Sequence, residues 1–339
     1  KANLLMLDEP TSSLASNEVE NLFQVIRKLK KQDMIIIYIS HKLHEIPEIT
    51  DTITVLRDGK FIGSVETKDI TRQGIVDMMF GQVSIRQRPK ELKVQKETVL
   101  EVKHLSRKNK FEDISFSLAK GEVLGIAGML GAGRTELLKS IFGADPYDSG
   151  EIYVNGVKAP RNASPIQMKK MGIGLTPEDR KNEGLVLIHS IQDNLCYASV
   201  KTMAHGWFED KKQRKNAAHK QIEELQIKIP DINAPVSSLS GGNQQKVVVG
   251  NWLNTNPLIM LYDEPSRGID VNAKQQIFEI MWKQAEKGVS TIFVSSELEE
   301  LIEVCHRILI MKNGKLIGEV NPDEININQL YAYSMGDVK

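Results

Sequence analysis

The pattern of apolar and polar positions predicts a strand, a helix and a second strand near the start of the chain. Residues 4–7 form a short apolar run that ends in two acids, and residues 17–31 carry apolar side chains at helical spacing. Residues 34–40 form a continuous run rich in β-branched side chains, which is typical of a strand buried on both faces. Strand, helix and strand in this order predict an α/β fold with a mostly parallel sheet.

The same pattern recurs 255 positions later in the chain. The pair Asp8–Glu9 is repeated as Asp263–Glu264, and the offset continues without a gap as far as Gly63. Self-similarity at a fixed offset is the sequence signature of a duplicated domain. The match is broken at one position that matters for chemistry, because His41 falls on Ser296.

The repeat also predicts where the domains lie. We expect the C-terminal part of a first domain at residues 1–85, a polar linker at 86–97 and a second domain at 98–339. The first copy opens directly on an apolar strand and lacks the segments that precede this strand in the second copy. We therefore expect that an N-terminal part of the first domain is absent from this sequence.

Composition narrows the classes of function. Lys plus Arg and Asp plus Glu both number 44, so the chain carries no excess positive charge for a nucleic-acid partner. No apolar run is long enough to span a membrane and nothing resembles a signal peptide, which favours a cytoplasmic protein. Cys196 and Cys305 lie far apart without metal-ligand spacing, which favours free thiols in the core.

A glycine-rich loop lies between a predicted strand at 122–127 and a predicted helix from Thr135. Its spacing is that of the phosphate-binding loop GxxxxGK[ST], with Arg134 in the Lys position. In such a loop, backbone N–H groups and the start of the helix bind phosphate oxygens, and the Thr135 hydroxyl would reach Mg²⁺. Taken alone, the loop could also be a plain strand-to-helix turn. The predicted nucleotide-binding residues are Gly128, Gly131, Ala132, Gly133, Arg134, Thr135 and Glu136.

Two further motifs follow the loop. LSGGNQQKV at 239–247 precedes the strand and acid pair LIMLYDEP at 258–265, and this order resembles the signature and Walker B motifs of ATP-binding cassette (ABC) ATPases. The resemblance implies a P-loop NTPase fold of the ABC type, duplicated in this chain. It also implies a mostly parallel sheet, a helical subdomain at about 185–255 and an antiparallel β subdomain at the start of the second cassette. ATP and Mg²⁺ are the implied cofactors.

The resemblance assigns a role to single residues. Glu9 and Glu264 would polarise the attacking water, and His41 matches the histidine that contacts the γ-phosphate. Glu178, in the segment TPEDRK, stands where the family has its Q-loop glutamine. The expected metal-binding residues are Asp8, Thr135, Glu178 and Asp263, and the signature residues expected to bind nucleotide are Ser240, Gly241, Gly242 and Gln244.

The combination of PEDRK, GAGRTE, LSGGNQQK and DEPSRGID resembles the second cassette of tandem ABC ATPases that drive monosaccharide import, of the ribose and galactose/methyl-galactoside type. This resemblance implies an ATPase at the cytoplasmic face of the cell membrane. The implied partners are integral-membrane permease subunits, expected as a dimer, and indirectly an extracytoplasmic sugar-binding protein. No nucleic-acid partner is implied.

ABC cassettes pair head to tail, so the resemblance implies two unequal sites. Site one would combine Asp8, Glu9 and His41 with the signature at 240–242, and we expect it to hydrolyse ATP. Site two would use the loop at 128–135 with Asp263–Glu264 but has no histidine, so we expect it mainly to hold ATP.

Two alternatives remain open at this stage. One is a non-transport tandem ABC ATPase that acts on ribosomes or DNA. The other is a nucleotide-binding regulatory module without turnover, which Arg134 and Ser296 favour.

Overall fold

The structure is a computed structural model that divides into two compact units, residues 1–86 and 87–339. Among the residues it describes, no helix is both long enough and apolar enough to cross a membrane. The described residues are 3–11, 16–40, 45–57, 60–71, 74–75, 78–79, 88–205 and 208–335.

The first unit contains a strand, a helix and a strand, followed by a short helix and a hairpin. Its elements are β1 (Leu4–Asp8), α1 (Ser16–Lys30), β2 (Ile35–Ile39), α2 (Ile46–Ile49), β3 (Thr52–Arg57) and β4 (Lys60–Glu66). β1 and β2 pair in parallel and β3 and β4 pair antiparallel. α1 buries Phe23 and Ile26, as its helical spacing of apolar residues predicts.

The second unit contains two large sheets and a group of helices. Its first half comprises β5 (Thr98–Arg107), β6 (Phe111–Ala119), β7 (Val123–Ala127), α3 (Arg134–Phe142), β8 (Ser149–Val154), β9 (Val157–Lys158), α4 (Pro165–Lys170) and β10 (Ile173–Thr176). Its helical part comprises α5 (Ile191–Cys196), β11 (Ala204–His205), β12 (Phe208–Glu209), α6 (Lys211–Glu224) and α7 (Gly241–Leu253). The remainder is β13 (Ile259–Asp263), α8 (Val271–Glu286), β14 (Ser290–Val294), α9 (Leu298–Val304), β15 (Arg307–Lys312), β16 (Lys315–Val320) and α10 (Ile327–Met335).

The central sheet of the second unit has six strands in the order β10-β13-β14-β7-β15-β16. All neighbours pair in parallel except β15 and β16. Every residue of β7, β13 and β14 is buried, which explains why these strands read as continuous apolar runs. Because parallel strands end at one edge of the sheet, the residues that follow β7, β13 and β14 are brought to the same edge.

An antiparallel sheet in the order β6-β5-β8-β9 opens the second unit, which confirms the predicted antiparallel subdomain. Helices α5, α6 and α7 lie where the sequence predicts a helical subdomain. Ser190 caps α5 by accepting a hydrogen bond from the Asp193 N–H, and Asp210 caps α6 in the same way. Cys196 and Cys305 are both free and buried, as predicted.

The described part of the predicted linker, residues 88–97, lies within the second unit and is mostly exposed, but several of its residues contact the rest of that unit. The Arg88 guanidinium donates to the Cys305 carbonyl and forms an ion pair with Asp323. Leu92 belongs to the apolar core of this unit, and the Gln95 N–H donates to the Lys120 carbonyl at 3.0 Å. The charged composition predicts the exposure of most of the segment, whereas the contacts of Arg88 and Leu92 depend on residues that are distant in the chain.

The offset of the sequence repeat also relates the local geometry of the two units. Glu9 and Glu264, the residues after β1 and β13, have positive φ angles of 44° and 46°. Their N–H groups donate to equivalent carbonyls, those of Ile39 and Val294, at 2.9 and 3.0 Å. Positive φ is uncommon for a residue other than glycine, so its recurrence at both positions shows that the two turns are built alike.

The units differ in what covers their strands. Leu4 and Met6 of β1 are 47% and 63% exposed, whereas their counterparts Ile259 and Leu261 are fully buried. In the second unit these side chains pack against α3 and the antiparallel sheet. The described residues of the first unit include no counterpart of those elements.

Candidate nucleotide-binding site

The loop between β7 and α3 has a backbone that requires glycine at several positions. Gly131 and Gly133 have φ angles of 81° and 96°, in the region that glycine adopts without strain. A Cβ atom on Gly128 would lie 2.5 Å from the Met311 carbonyl oxygen, which is too close for any side chain. A loop of this form, leading into the first turn of a helix, can bind phosphate through its N–H groups.

Ala132 and Glu136 complete the set predicted for this loop. Ala132 is buried, and its N–H donates to the Met129 carbonyl at 3.0 Å. Glu136 in the first turn of α3 forms an ion pair with Lys110, with 2.6 Å between Oε1 and Nζ. Burial opposes the charged form of Glu136, but the Lys110 ammonium, a backbone hydrogen bond and the Arg107 charge together lower the pKa of this carboxyl.

Arg134, which stands in the position of the phosphate-binding lysine, is turned into the protein. Its side chain is only 7% exposed and its Nη2 lies 3.3 Å from Glu264 Oε1. Its Nη1 donates to the carbonyl of Ser295 at 2.7 Å. The guanidinium is thus fixed by one carboxylate and one backbone carbonyl at the end of the sheet.

Glu264 is engaged through both carboxylate oxygens. While Oε1 faces Arg134, Oε2 accepts hydrogen bonds from the N–H of Ser296 at 2.9 Å and from its hydroxyl at 3.1 Å. Burial raises the pKa of Glu264, although Arg134 and Ser296 oppose the shift. Both oxygens of Glu264 therefore already make contacts within the protein, and these contacts would compete with a water molecule for the carboxylate.

Thr135 and Asp263 form the pair expected to bind metal. The Thr135 hydroxyl donates to Asp263 Oδ1 at 3.1 Å. The second oxygen, Oδ2, is buried and has no hydrogen-bond partner among the described residues. Burial raises the pKa of Asp263 to about 7, which a cation at Oδ2 would reverse.

This donor set fits Mg²⁺. No group of three or more His, Cys, Asp or Glu side chains within the described ranges could hold a metal ion by itself. Mg²⁺ commonly binds to one or two protein oxygens together with substrate phosphates and water, and the Thr135 hydroxyl with Asp263 Oδ2 provides such a partial set. When bound by Thr135 and Asp263, the ion would supply positive charge that offsets the negative charge of the phosphates.

Glu178, also predicted as a metal ligand, is paired with a cation of the protein. Its carboxylate forms an ion pair with Arg267, and its charge contributes to the raised pKa of Asp263. Arg180 holds the same neighbourhood together by donating to the carbonyls of Arg267 at 2.7 Å and Gly268 at 3.1 Å. Glu178 therefore lies near the Thr135–Asp263 pair but is occupied by Arg267.

The signature residues lie at the start of α7. Ser240 is the residue before the helix and is exposed, and its hydroxyl accepts a hydrogen bond from Asn243 at 3.0 Å. Gly241 and Gly242 begin the helix, and a Cβ on Gly242 would lie 2.3 Å from the Ala273 side chain. Ser240 is thus accessible to a ligand, whereas Gly242 is buried and packs closely against Ala273.

Gln244, predicted with this group, points into the protein instead. It is 6% exposed, and its amide donates to the Leu239 carbonyl at 3.1 Å. In this arrangement the side chain supports the turn that precedes α7. The motif spacing predicted a ligand contact, but one turn of helix separates Gln244 from the exposed Ser240.

In the first unit, Asp8 ends β1 and is exposed, as is Glu9. His41 lies outside the described residues. The position of the predicted histidine relative to these two acids therefore stays a prediction.

The groups that sequence reasoning missed are those that hold the charged side chains of the site in place. The Ser295 carbonyl fixes Arg134, the Ser296 N–H fixes Glu264, and Lys110 pairs with Glu136. Backbone groups carry no sequence signal, and Ser296 stood out only as a missing histidine.

An open cleft of about 630 Å³ lies next to the glycine loop, beside Gly131. Its lining includes Arg107, Lys108, Asn109 and Lys110.

Comparison with known proteins agrees with this geometry. A family model described as ABC transporter matches residues 111–267. The chain is 40% identical to the ribose import ATP-binding protein RbsA of Bacillus cereus, over 99% of this chain and 68% of that protein. It is 42% identical to the ribose import ATP-binding protein RbsA of Geobacillus kaustophilus, over 99% of this chain and 68% of that protein.

A further relative, from Halalkalibacterium halodurans, is named for ribose, galactose and methyl galactoside import. It is 43% identical over 100% of this chain and 65% of its own length. The chain thus spans about two thirds of the curated relatives that it matches. Among solved structures, a nucleotide-free ATP-binding cassette from an ABC transporter aligns with a TM-score of 0.60 and 21% identity, over 69% of this chain and 98% of that one.

Proposed function

The chain belongs to the ABC transporter family of ATP-binding proteins, and we propose that it is part of an ATP-hydrolysing subunit. This subunit energises the import of a monosaccharide through a membrane permease. The observation that carries the proposal is the meeting of the glycine loop, Thr135 and Asp263 at one edge of the sheet. Ribose, galactose or a similar sugar is the cargo, since relatives at 40–43% identity are named for import of these sugars.

Nucleotide would bind with its phosphates at the loop 128–133 and with Mg²⁺ at Thr135 and Asp263. The buried, unpartnered Oδ2 of Asp263 supports this assignment, because an isolated polar atom in a protein interior is costly. Gly241 and Gly242 at the start of α7, with Ser240, would bind the γ-phosphate held by the opposite cassette.

We propose two unequal sites in a duplicated pair of cassettes. The similar turn geometry after β1 and β13 supports the duplication. In the second site, Arg134 and Ser296 occupy both oxygens of Glu264, which favours retention of nucleotide over hydrolysis. In the first, Glu9 and His41 would carry out hydrolysis, with the signature of the second cassette closing over the nucleotide.

The partners would be permease subunits, expected as a dimer, at the cytoplasmic face of the membrane, with an extracytoplasmic protein delivering the sugar. The segment after Glu178 supports a protein contact, because Val186 and Ile188 are 40% and 84% exposed. Apolar side chains clustered at a surface are typical of interaction sites. No nucleic-acid partner is proposed, in line with the balanced charge.

The decisive experiment is reconstitution. A protein of the relatives' full length is purified with its permease in liposomes, and ATP hydrolysis and sugar uptake are measured with and without the sugar-binding protein. We expect hydrolysis to rise and labelled ribose or galactose to accumulate only when all components are present. Co-purification with ribosomes and no uptake would instead support the non-transport alternative.

A further inference from the structure

A buried carboxylate joins the two loops that carry Glu264 and Ser296. Glu300, in α9, is 3% exposed. Its Oε2 accepts hydrogen bonds from the hydroxyls of Ser266 and Ser295, both at 2.7 Å. Ser266 follows Glu264 by two residues and Ser295 directly precedes Ser296. One carboxylate oxygen therefore bridges the loop after β13 and the loop after β14.

The loop fixed by Ser295 makes the contacts that hold Glu264. Its backbone carbonyl accepts a hydrogen bond from Arg134 at 2.7 Å. The next residue, Ser296, donates its N–H and its hydroxyl to Glu264 at 2.9 and 3.1 Å. A shift of this loop would alter all three bonds together, and the loop thereby links Glu300 to Glu264 indirectly.

Lys274, in α8, supplies the opposite charge. Its ammonium lies 2.6 Å from Glu300 Oε1 and 2.6 Å from Glu297 Oε2. Burial opposes the charged form of this amine, but the two carboxylates outweigh it and raise the pKa of Lys274. A buried carboxylate is costly unless it is both paired and hydrogen-bonded, and Glu300 meets both conditions.

The first unit contains the same bridge at the same offset. Glu45 is 1% exposed, and its Oε2 accepts hydrogen bonds from Thr11 at 2.9 Å and Ser40 at 3.3 Å. Thr11 and Ser40 are the counterparts of Ser266 and Ser295. Both units thus place a buried acid between the same two loops.

The surroundings of the two acids differ while the bridge is retained. In the first unit the Tyr38 hydroxyl donates to Glu45 at 2.7 Å, but the counterpart of Tyr38 is Phe293, which has no hydroxyl. Lys274 approaches Glu300, but the counterpart of Lys274 is Val19. The other neighbours of the two acids therefore differ. The hydrogen bonds from two hydroxyl groups are the contacts that both acids share.

We propose that Glu300 is a positioning residue that fixes the turn Ser295–Ser296 relative to the loop after β13, and thereby holds Arg134 and Ser296 on Glu264. Glu45 fixes Ser40 relative to the loop after β1 in the same way. The bridge follows from the contacts alone, while its importance for a nucleotide site rests on the proposed function.

The test is amide hydrogen exchange, followed by NMR on the complete 339-residue chain without nucleotide. Ser266→Ala is expected to speed exchange of the Ser296 N–H by about fivefold, the effect of losing one hydrogen bond. Ser266→Thr places the residue of the first unit at this position and should retain the rate of the unchanged chain. Glu286→Gln, at an exposed acid of α8, is the control and should also have no effect.

Glu300→Gln should accelerate exchange at Ser296 at least as much as Ser266→Ala does. The double variant should exchange no faster than Glu300→Gln alone, because both changes act through one carboxylate. The N–H of Ile292, in the core of β14, reports global opening and serves as the reference. An unchanged Ser296 rate relative to Ile292 in Ser266→Ala would overturn the proposal, even if Glu300→Gln failed to fold. If the reconstituted protein did not transport sugar, the proposed function would be wrong. The exchange rates at Ser296 would still test the role of Glu300 independently.

Discussion

Arg134 and Glu264 form a buried ion pair, in which Nη2 lies 3.3 Å from Oε1 and the two side chains are 7% and 10% exposed. The sequence predicts that Arg134 is the phosphate-binding cation and that Glu264 is the acid that polarises water. In the structure they bind each other, and Ser296 occupies the remaining oxygen of the carboxylate. Nucleotide phosphates would therefore have to compete with Glu264 for the guanidinium.

Removal of the Arg134 side chain alone should destabilise the protein. Arg134→Ala is expected to lower the free energy of unfolding by about 3 kcal/mol, because Glu264 would remain buried without its partner. In the double variant Arg134→Ala/Glu264→Gln the uncompensated charge is absent, so most of this loss should be recovered. Urea unfolding of both variants measures the difference. Equal losses in the single and double variants would show that the uncompensated charge of Glu264 is not the cause of the loss.

Hydrolysis should depend on the acid of the first unit. In a protein of the relatives' full length, Glu9→Gln is expected to lower kcat for ATP hydrolysis by at least about 100-fold, the usual contribution of a general base. Glu264→Gln should lower it by less than about tenfold, since that carboxylate is already engaged. Phosphate release at saturating MgATP measures both, with Glu286→Gln as the exposed control. Comparable losses from the two substitutions would contradict the proposed asymmetry.

The sequence predicts those features that depend on neighbours in the chain. The helix predicted at 17–31 is α1 at Ser16–Lys30, because helical spacing of apolar residues is a local property. The acids at the end of a strand and the glycines of the loop are likewise visible from spacing, since parallel strands end at one edge and a tight loop needs glycine.

Features that depend on distant residues could not be predicted. The contact of Arg134 with Glu264, and the bridge of Glu300 to Ser266, form only after the sheet is assembled. Gln244 fits a motif but its side chain faces the interior. The segment 88–97 has the composition of a linker, but its Leu92 side chain is buried in the apolar core. In each case tertiary contacts decide what the local pattern leaves open.

Nucleotide binding at the second site should depend on Mg²⁺ through Thr135. Thr135→Ala is expected to weaken the binding of a fluorescent ATP analogue by about tenfold in the presence of Mg²⁺, because the ion would lose one of its two protein oxygens. With EDTA in place of Mg²⁺, the variant and the unchanged chain should bind alike. Thr135→Ser retains the hydroxyl and is the matched control. Equal weakening with and without the ion would show that Thr135 does not act through the metal.

The stability of the second unit should depend on the protonation of His306. Its Nδ1 accepts a hydrogen bond from the Val123 N–H at 3.0 Å, and its Nε2 faces the Leu92 carbonyl at 3.3 Å, so the neutral ring with its proton on Nε2 satisfies both contacts. Burial, assisted by the nearby Arg88 cation, lowers the pKa of His306.

Because its folded-state pKa lies below the unfolded value of about 6.5, the contribution of His306 is complete above that pH and is lost as the pH falls from there towards the folded-state pKa. Urea unfolding at pH 7.5 and 5.5 measures this loss, which His306→Gln should reduce because glutamine does not titrate. His219→Gln, at an exposed position of α6, should leave the pH dependence as it is. The same loss in all three proteins would assign the acid sensitivity to other groups.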